Sequence, residues 1–448
     1  MKAAFYTLGC KLNQVETEAL ISAFNEQGVS IVSHDNDADI YVVNTCTVTS
    51  KSEQKARRMI RKFSRDNQSS LVIATGCYVQ MEEEEVLSLG DNVVTVSLDD
   101  KDTILDLAAF IGSYNFSLNE LKSRTILWLQ ENLTSSKGED SARFRYSPAD
   151  FNFHSRAFLK IQDGCDNTCA YCRVTIARGD SVSLEADEIL KRLNDLSQKG
   201  YREVVLTGVN IDSYQSGNFN LALLLQLILD KTEGFRIRLS SLEPDTLTKE
   251  MCEVLAHERI CPHFHLSVQS GSNRILKLMK RNYTSETIRT AVKQLRSIKD
   301  DPFIAADIIA GFPGETEEDL SDSMKIITEL NFARAHVFPF SPRPGTEAYH
   351  MTPKVPERDT AIRAAKLRDA SKKSYLAYVN RSIGKEVKIL LEHRDEKGIW
   401  FGFSETYIRF AVTGLGSDGT TGEIVLCRID HLSDGSGNAL FLKKSEIK

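Results

Sequence analysis

The 448-residue sequence predicts an α/β protein in three parts: an N-terminal parallel α/β domain, a central partial TIM-like (β/α)6 barrel, and a small C-terminal antiparallel β-barrel. Three observations carry this prediction. Through the first third, short apolar runs such as Ile40–Asn44 and Leu71–Thr75 alternate with helical stretches, as in a parallel sheet buried on both faces. From Ala157 to Phe340 the alternation repeats six times, which suits a curved parallel sheet with its chemistry at the strands' carboxyl ends. After Lys385, apolar residues alternate singly between Gly398, Gly402, Gly416 and Gly422, the pattern of a small antiparallel barrel.

In the first part, Ala3–Leu8 reads as a strand and Glu16–Gln27 as a helix with Ala19, Leu20 and Phe24 on one face. Ile40–Asn44 is a second strand, followed by a basic helix from Ser50 to about Phe63. Leu71–Thr75 is a third. Cys10, Cys46 and Cys77 each fall one to two residues past one of these strands. Ligand sites in open parallel sheets gather along that edge, so three cysteines distant in sequence are expected to meet. One buried cysteine is usually inert; three in equivalent positions predict a three-thiolate site.

The expected domains are 1–120, a linker over 121–153 with Ser135–Asp140 as its most linker-like part, 154–380 and 381–448. In the central part, strands are expected at Ala157–Ile161, Glu203–Thr207, Phe235–Ser240, His263–Val268, Phe303–Ile309 and Arg334–Phe340, separated by helices. The first strand leads into Cys165-x3-Cys169-x2-Cys172. A structural zinc site or a fully ligated ferredoxin-type cluster takes four ligands; the plainer readings here are three buried thiols or a zinc hook that borrows His154. Three thiolates leave one iron of a cubane free. This spacing resembles the radical S-adenosylmethionine (SAM) superfamily, in which the open iron takes the amino and carboxylate groups of SAM. Four further rim segments follow strands: Thr207–Asn210, Ser240–Pro244, Gln269–Asn273 and Ala310–Glu315. Their glycines and polar groups fit a SAM pocket lined by Gly208, Asn210, Glu243 and Gln269.

The net charge of −6 gives no global argument for nucleic acid. Basic residues are nonetheless concentrated at Lys51, Lys55, Arg57, Arg58, Arg61, Lys62 and Arg65, and again at Arg363, Lys366, Arg368, Lys372 and Lys373. Such runs are ordinarily solvated helix faces; phosphate binding follows only where they surround a site. The first run directly follows Cys46, which makes Arg57, Arg58 and Arg61 candidate phosphate contacts. Nine cysteines are too sparse for a disulfide scaffold and point to a reducing cytoplasm. Cys252, Cys261 and Cys427 lack ligand spacing and read as structural thiols. No apolar run is long enough to span a membrane. Thr7–Cys10 resembles a lipoprotein cleavage site, but the residues before it cannot supply both a basic and an apolar region. Phe401, Phe403 and Tyr407 suit either base stacking or core packing.

Taken whole, the layout resembles the radical-SAM methylthiotransferases: a sulfur-cluster domain, a radical-SAM barrel and a C-terminal TRAM domain. Thr7–Gln14, Asn44–Thr49 and Thr75–Cys77 match the N-terminal cluster segments, while Lys160–Cys165 and Ala177–Gly179 match the radical-SAM loop. Lys11–Gln14, Ser240–Pro244 and His265–Gly271 resemble the branch acting on threonylcarbamoyladenosine in tRNA rather than the isopentenyladenosine or ribosomal-protein branch. One departure stands out: Arg173-Val174-Thr175 replaces the apolar pair plus proline usual after the third cysteine.

The resemblance implies two [4Fe-4S] clusters and SAM. The Cys165/Cys169/Cys172 cluster would cleave SAM reductively, and the deoxyadenosyl radical would remove hydrogen from carbon 2 of the adenine. The Cys10/Cys46/Cys77 cluster would supply or hold the sulfur, methylated by a second SAM. Such chemistry belongs to the cofactors, and no catalytic side chain is expected beyond the clusters. Implied partners are a tRNA anticodon stem-loop, whose unstacked bases suit edge readout, and an electron donor such as a flavodoxin or ferredoxin. The rivals are a methylthiotransferase acting on isopentenyladenosine tRNA or a ribosomal-protein aspartate, and an iron–sulfur electron carrier.

Overall fold

The computed structural model describes residues 1–113, 118–133, 140–146, 155–432 and 436–445. Its N-terminal sheet contains β1 (Lys2–Thr7), β2 (Ser30–Val32), β3 (Ile40–Thr45), β4 (Leu71–Gly76) and β5 (Val93–Val96). All pairs are parallel, in the order β2-β1-β3-β4-β5. Residues of β3 and β4 are buried on both faces, which explains their unbroken apolar runs. Helix α1 (Lys11–Glu26) packs Leu20 and Phe24 on one face of the sheet, and α2 (Ser50–Asp66) packs Ala56, Ile60 and Phe63 on the other. The Thr49 side chain accepts the Ser52 N–H and caps α2, a contribution of about 1 kcal/mol. Most of the expected linker at Ser135–Asp140 lies outside the described residues. Earlier in that stretch, the helix Leu118–Asn132 packs Leu121 and Leu129 into the N-terminal apolar cluster.

The central sheet comprises β6 (Ala157–Lys160), β7 (Glu203–Thr207), β8 (Arg236–Leu239), β9 (His263–Gln269), β10 (Phe303–Ala310) and β11 (Arg334–Pro339). Sequential strands are parallel neighbours. The exception is a step at Ser240, after which Ser241–Leu242 rather than β8 pairs with β9. The six strands therefore curve as a partial barrel. On β9, Phe264, Leu266 and Val268 are buried in the large apolar core beneath the helices, while His265, Ser267 and Gln269 are only partly buried. The second set faces the lumen.

A long helix, Glu357–Ser382, leads into the C-terminal barrel. Its strands are β12 (Glu386–Arg394), β13 (Trp400–Ser404), β14 (Arg409–Thr413), β15 (Ile424–Leu432) and β16 (Ser436–Lys444). The barrel closes in the order β12-β13-β14-β16-β15. It is not wholly antiparallel: β14 and β16 pair in parallel, because the chain crosses through β15 before returning beside β14.

The domains are joined by buried polar contacts. Glu16 on α1 accepts from Lys160 at the end of β6 (3.0 Å). Ser50 and Glu53 on α2 accept from Arg343, just beyond β11. The N-terminal domain thus spans the open side of the partial barrel, between its first and last strands. At the opposite end of the lumen, Glu203 holds Arg236 (2.6 Å) and Arg238 (2.7 Å). These arginines donate to the carbonyls of Lys388, Phe403, Ser404 and Glu405, docking the C-terminal barrel as a floor.

Candidate metal centre and cofactor pocket

Three strand ends build the first thiolate set. Cys10 caps α1 after β1, Cys46 follows β3, and Cys77 opens the short helix α3 (Cys77–Met81) after β4. Gly76 makes the last turn possible: its φ is +100°, and a Cβ there would stand 2.5 Å from the Thr45 carbonyl oxygen. The three thiols come together, for Cys46 interacts electrostatically with both Cys10 and Cys77. Burial pushes Cys46 up to about 12 and raises Cys77.

The second set lies on the loop after β6, where Cys172 interacts electrostatically with Cys169 and Cys165. Burial pushes Cys172 up to about 11 and raises Cys165.

Both sets suit iron–sulfur clusters. Thiols that resist ionisation alone become ligands when metal charge replaces the proton. Their sulfurs also face donors: Val48 N–H at Cys46 (3.5 Å), Val174 N–H at Cys172 (3.4 Å) and Arg281 Nη1 at Cys169 (2.9 Å). Such donors stabilise cluster sulfurs. Among the described residues, no three His, Cys, Asp or Glu side chains close around a single ion. A cubane instead binds each thiolate to a different iron and requires wider spacing. His154, the conceivable fourth zinc ligand, lies outside the described residues.

The two sets adjoin. Helix α3, which begins with Cys77, packs on the helix Val174–Arg178 that follows Cys172. Arg178 crosses this junction, donating to Asn13 Oδ1 (2.9 Å) and to both Asp163 oxygens (2.8 and 3.0 Å). Burial alone would lower its pKa, but Asp163, Cys77 and Glu16 outweigh that and raise it. Arg173, the departure after the third cysteine, also bridges the domains. It donates to Thr47 Oγ1 and Glu53 Oε1 (both 3.3 Å) and pairs with Glu82.

Beside Cys169, a cavity of about 200 Å³ is lined by Asn167, Asn210, Asp212, Glu243, Arg281 and Tyr283, among others. Asn210 and Glu243 thus share it. The Glu243 carboxylate pairs with Arg281, and its N–H donates to Asp212 Oδ2 (2.6 Å). Burial pushes Asp212 up to about 8. Gly208 sits one step behind, where a Cβ would stand 2.7 Å from Gln162 Oε1. That same oxygen accepts the Asn210 N–H (2.9 Å), so Gly208 lets Gln162 set the Asn210 loop. Gln269 ends β9 with φ +62° and is not among the cavity's lining residues. Arg281 was not singled out from sequence, since a lone arginine between two helices carries no pattern.

A broad groove of about 810 Å³ runs along α2, lined by Lys55, Arg57, Arg58, Arg61, Lys62 and Arg65 together with Tyr6 and His34. Arg58 and Arg61 are exposed. Arg57 is half-buried, donating to Tyr78 Oη (2.9 Å) and pairing with Glu85 (3.3 Å). In the second basic run, Arg363 and Lys366 pair with Glu317 and Lys373 with Asp369, while Arg368 donates to the Val337 carbonyl. Phe403 and Tyr407 stack on each other against Arg156 at the barrel floor, and Phe401 stacks on His393.

Residues 2–97 match the family model described as Uncharacterized protein family UPF0004, and residues 159–327 match the Radical SAM superfamily. A Treponema pallidum protein named Threonylcarbamoyladenosine tRNA methylthiotransferase MtaB is 40% identical over 433 residues, covering 86% of this chain and 90% of its own. A Thermotoga maritima protein of the same name is 35% identical, covering 96% and 94%. A tRNA-2-methylthio-N(6)-dimethylallyladenosine synthase from Endomicrobium trichonymphae is 30% identical, covering 86% and 87%. The radical S-adenosylmethionine methyltransferase TsrM from Kitasatospora setae, solved with cobalamin and a [4Fe-4S] cluster, is alike in fold. Its TM-score is 0.52 at 13% identity, over 78% of this chain and 73% of that one. No helix among the described residues is long and apolar enough to cross a membrane. The chain belongs to the radical SAM methylthiotransferase family, whose radical SAM domain implies SAM and a [4Fe-4S] cluster.

Proposed function

We propose that this protein converts N6-threonylcarbamoyladenosine beside the tRNA anticodon into its 2-methylthio derivative. The observation that carries this reading is the meeting of two three-cysteine sets where α3 packs on the helix Val174–Arg178. The names of the Treponema and Thermotoga relatives support the substrate.

Cys165, Cys169 and Cys172 would hold the SAM-binding [4Fe-4S] cluster, and Cys10, Cys46 and Cys77 a second one. When bound, these groups supply one-electron activation of an unreactive aromatic C–H and the sulfur to replace it. The protein's own groups position. Asn210 and Glu243 line the SAM pocket, with Gly208 shaping the loop and Gln269 at the adjoining rim. The Glu243 carboxylate, already oriented by Arg281, offers an acceptor for an ammonium group. Arg281 Nη1 stabilises Cys169, and Arg178 stabilises the facing edge of the second set.

Arg58 and Arg61 would contact anticodon-stem phosphates, with Arg57 anchoring that helix surface to Tyr78. A flavodoxin or ferredoxin in the cytoplasm would supply the electrons.

The test is a Cys10/Cys46/Cys77→Ala triple variant, reconstituted anaerobically. Iron should fall from about eight to about four per chain, SAM cleavage should persist, and thiomethylation should vanish. Thiomethylation that survives in the variant would refute the second cluster's role.

A further inference from the structure

The floor of the barrel lumen carries cationic groups that its own carboxylates do not satisfy. Around the Tyr407 ring, Arg238 Cζ lies 4.9 Å, Arg156 Cζ 5.0 Å and Lys11 Nζ 5.8 Å from the centroid, with the His263 ring 5.2 Å away. Arg238 is bound by Glu203 and by the Ser404 and Glu405 carbonyls. Arg156 is different. Only 4% of it is exposed; its Nη2 reaches Glu392 at 3.5 Å and its side chain also bonds the Tyr407 side chain, yet its Nε and Nη1 are buried without a hydrogen-bond partner. His263 Nδ1 is likewise buried without one. Lys11 makes no ion pair among the described residues; its ammonium rests over Tyr407. Farther up the wall, Asp307 lies 2.8 Å from His265 Nε2 and interacts electrostatically with His336.

Unpaired buried donors are costly, and several converging on one point call for an acceptor. The lumen gives access to it. His265, Ser267 and Gln269 on β9 and Asp307 on β10 stay partly exposed while their neighbours in sequence are buried. Water and ligand therefore reach down the inner wall. Lys11 enters from the N-terminal domain directly after Cys10, so an anion it binds is held in register with that thiolate set.

We propose that Lys11 and Arg156 form an anion subsite at the lumen floor that reads a carboxylate on the substrate base. Resting on the function proposed above, this is the carboxylate of the N6-threonylcarbamoyl group. Backbone phosphates remain outside the lumen with the RNA strand; the carboxylate is the charge that enters with the base. A hydrocarbon substituent in its place would leave the cationic groups dehydrated and unpaired, so the same contacts reject it.

The test uses cluster-loaded, full-length protein and three anticodon stem-loops, carrying threonylcarbamoyladenosine, its neutral methyl ester, or unmodified adenosine. Binding is measured by fluorescence anisotropy. Wild type should bind the acid roughly ten- to hundredfold tighter than the ester, the range for a charge-assisted hydrogen bond. K11M should bring that ratio close to one, and K11R should keep most of it. Equal binding of acid and ester by wild type would overturn the proposal, and this arm needs no variant to fold. So would a K11M protein that keeps the wild-type ratio. If wild type prefers the acid but forms no methylthio product on it, the subsite stands and the substrate reading fails.

Discussion

Replacing Glu203 with glutamine tests how the barrel floor is held. Glu203 is fully buried and accepts from Arg236 and Arg238. Burial alone would raise its pKa, but Arg238 and then Arg236 outweigh it and hold the carboxyl at about 2, against an ordinary 4.5. A difference of about 2.5 units corresponds to roughly 3 kcal/mol of stability at neutral pH. That agrees with the ~3–5 kcal/mol lost when one partner of a buried pair is removed. The same arginines hold four carbonyls of the C-terminal barrel, so the loss should appear there first. In E203Q, amide exchange across Trp400–Arg409 should accelerate and the denaturation midpoint should fall. Because the folded pKa is depressed, Glu203's contribution is complete above about 4.5 and is lost as pH falls toward about 2. The gap between wild type and E203Q should therefore narrow across that window. A variant within about 0.5 kcal/mol of wild type, with an unchanged pH profile, would refute this account of the floor.

Three further outcomes are expected. E53Q removes the negative charge of the side chain shared by Thr47, Arg173 and Arg343, leaving two buried guanidiniums without their counter-charge there. It should cost about 3–5 kcal/mol, more than R173L, which leaves Glu53 paired with Arg343; thermal melts showing the reverse order would contradict the bridge. Reversing Arg58 and Arg61 to glutamate should weaken tRNA binding and reduce the slope of log K against log salt by roughly 1.5–2. An unchanged slope would place the phosphates elsewhere. R281Q should lower the reduction potential of the Cys165/Cys169/Cys172 cluster by on the order of tens of millivolts and weaken SAM binding, since Cys169 loses a donor and Glu243 its partner. Redox titration showing no change in potential would rule out the Cys169 contact.

The elements legible in sequence were those whose environment is uniform along the strand. The runs at β3 and β4 are apolar throughout because both faces are covered, and the cysteines just beyond them are fixed by that geometry. By contrast, β2 and β5 are only three and four residues long, too short for periodicity to register. The start of α1 was hidden because Lys11–Gln14 offers a single apolar residue, Leu12, which is buried together with Asn13. The parallel pairing of β14 and β16 depends on how the chain crosses between hairpins, which alternation cannot reveal. At the site, ligand spacing made the thiolates readable. Arg178 and Arg343 act across a domain interface, and Arg281 joins two distant loops of the barrel rim; in each case sequence distance says nothing about proximity. Gly208 looked like room for a ligand, and the structure fills that room with Gln162.

The central claim is that adjoining clusters place sulfur and a methyl group on carbon 2 of threonylcarbamoyladenosine. It is tested most directly by anaerobic reaction of the reconstituted protein with SAM, reductant and tRNA bearing that nucleoside, followed by digestion and mass spectrometry. The account predicts a nucleoside heavier by one methylthio group in place of hydrogen, and no such product with isopentenyladenosine tRNA. SAM cleavage by a fully loaded enzyme with the nucleoside left unchanged would contradict it.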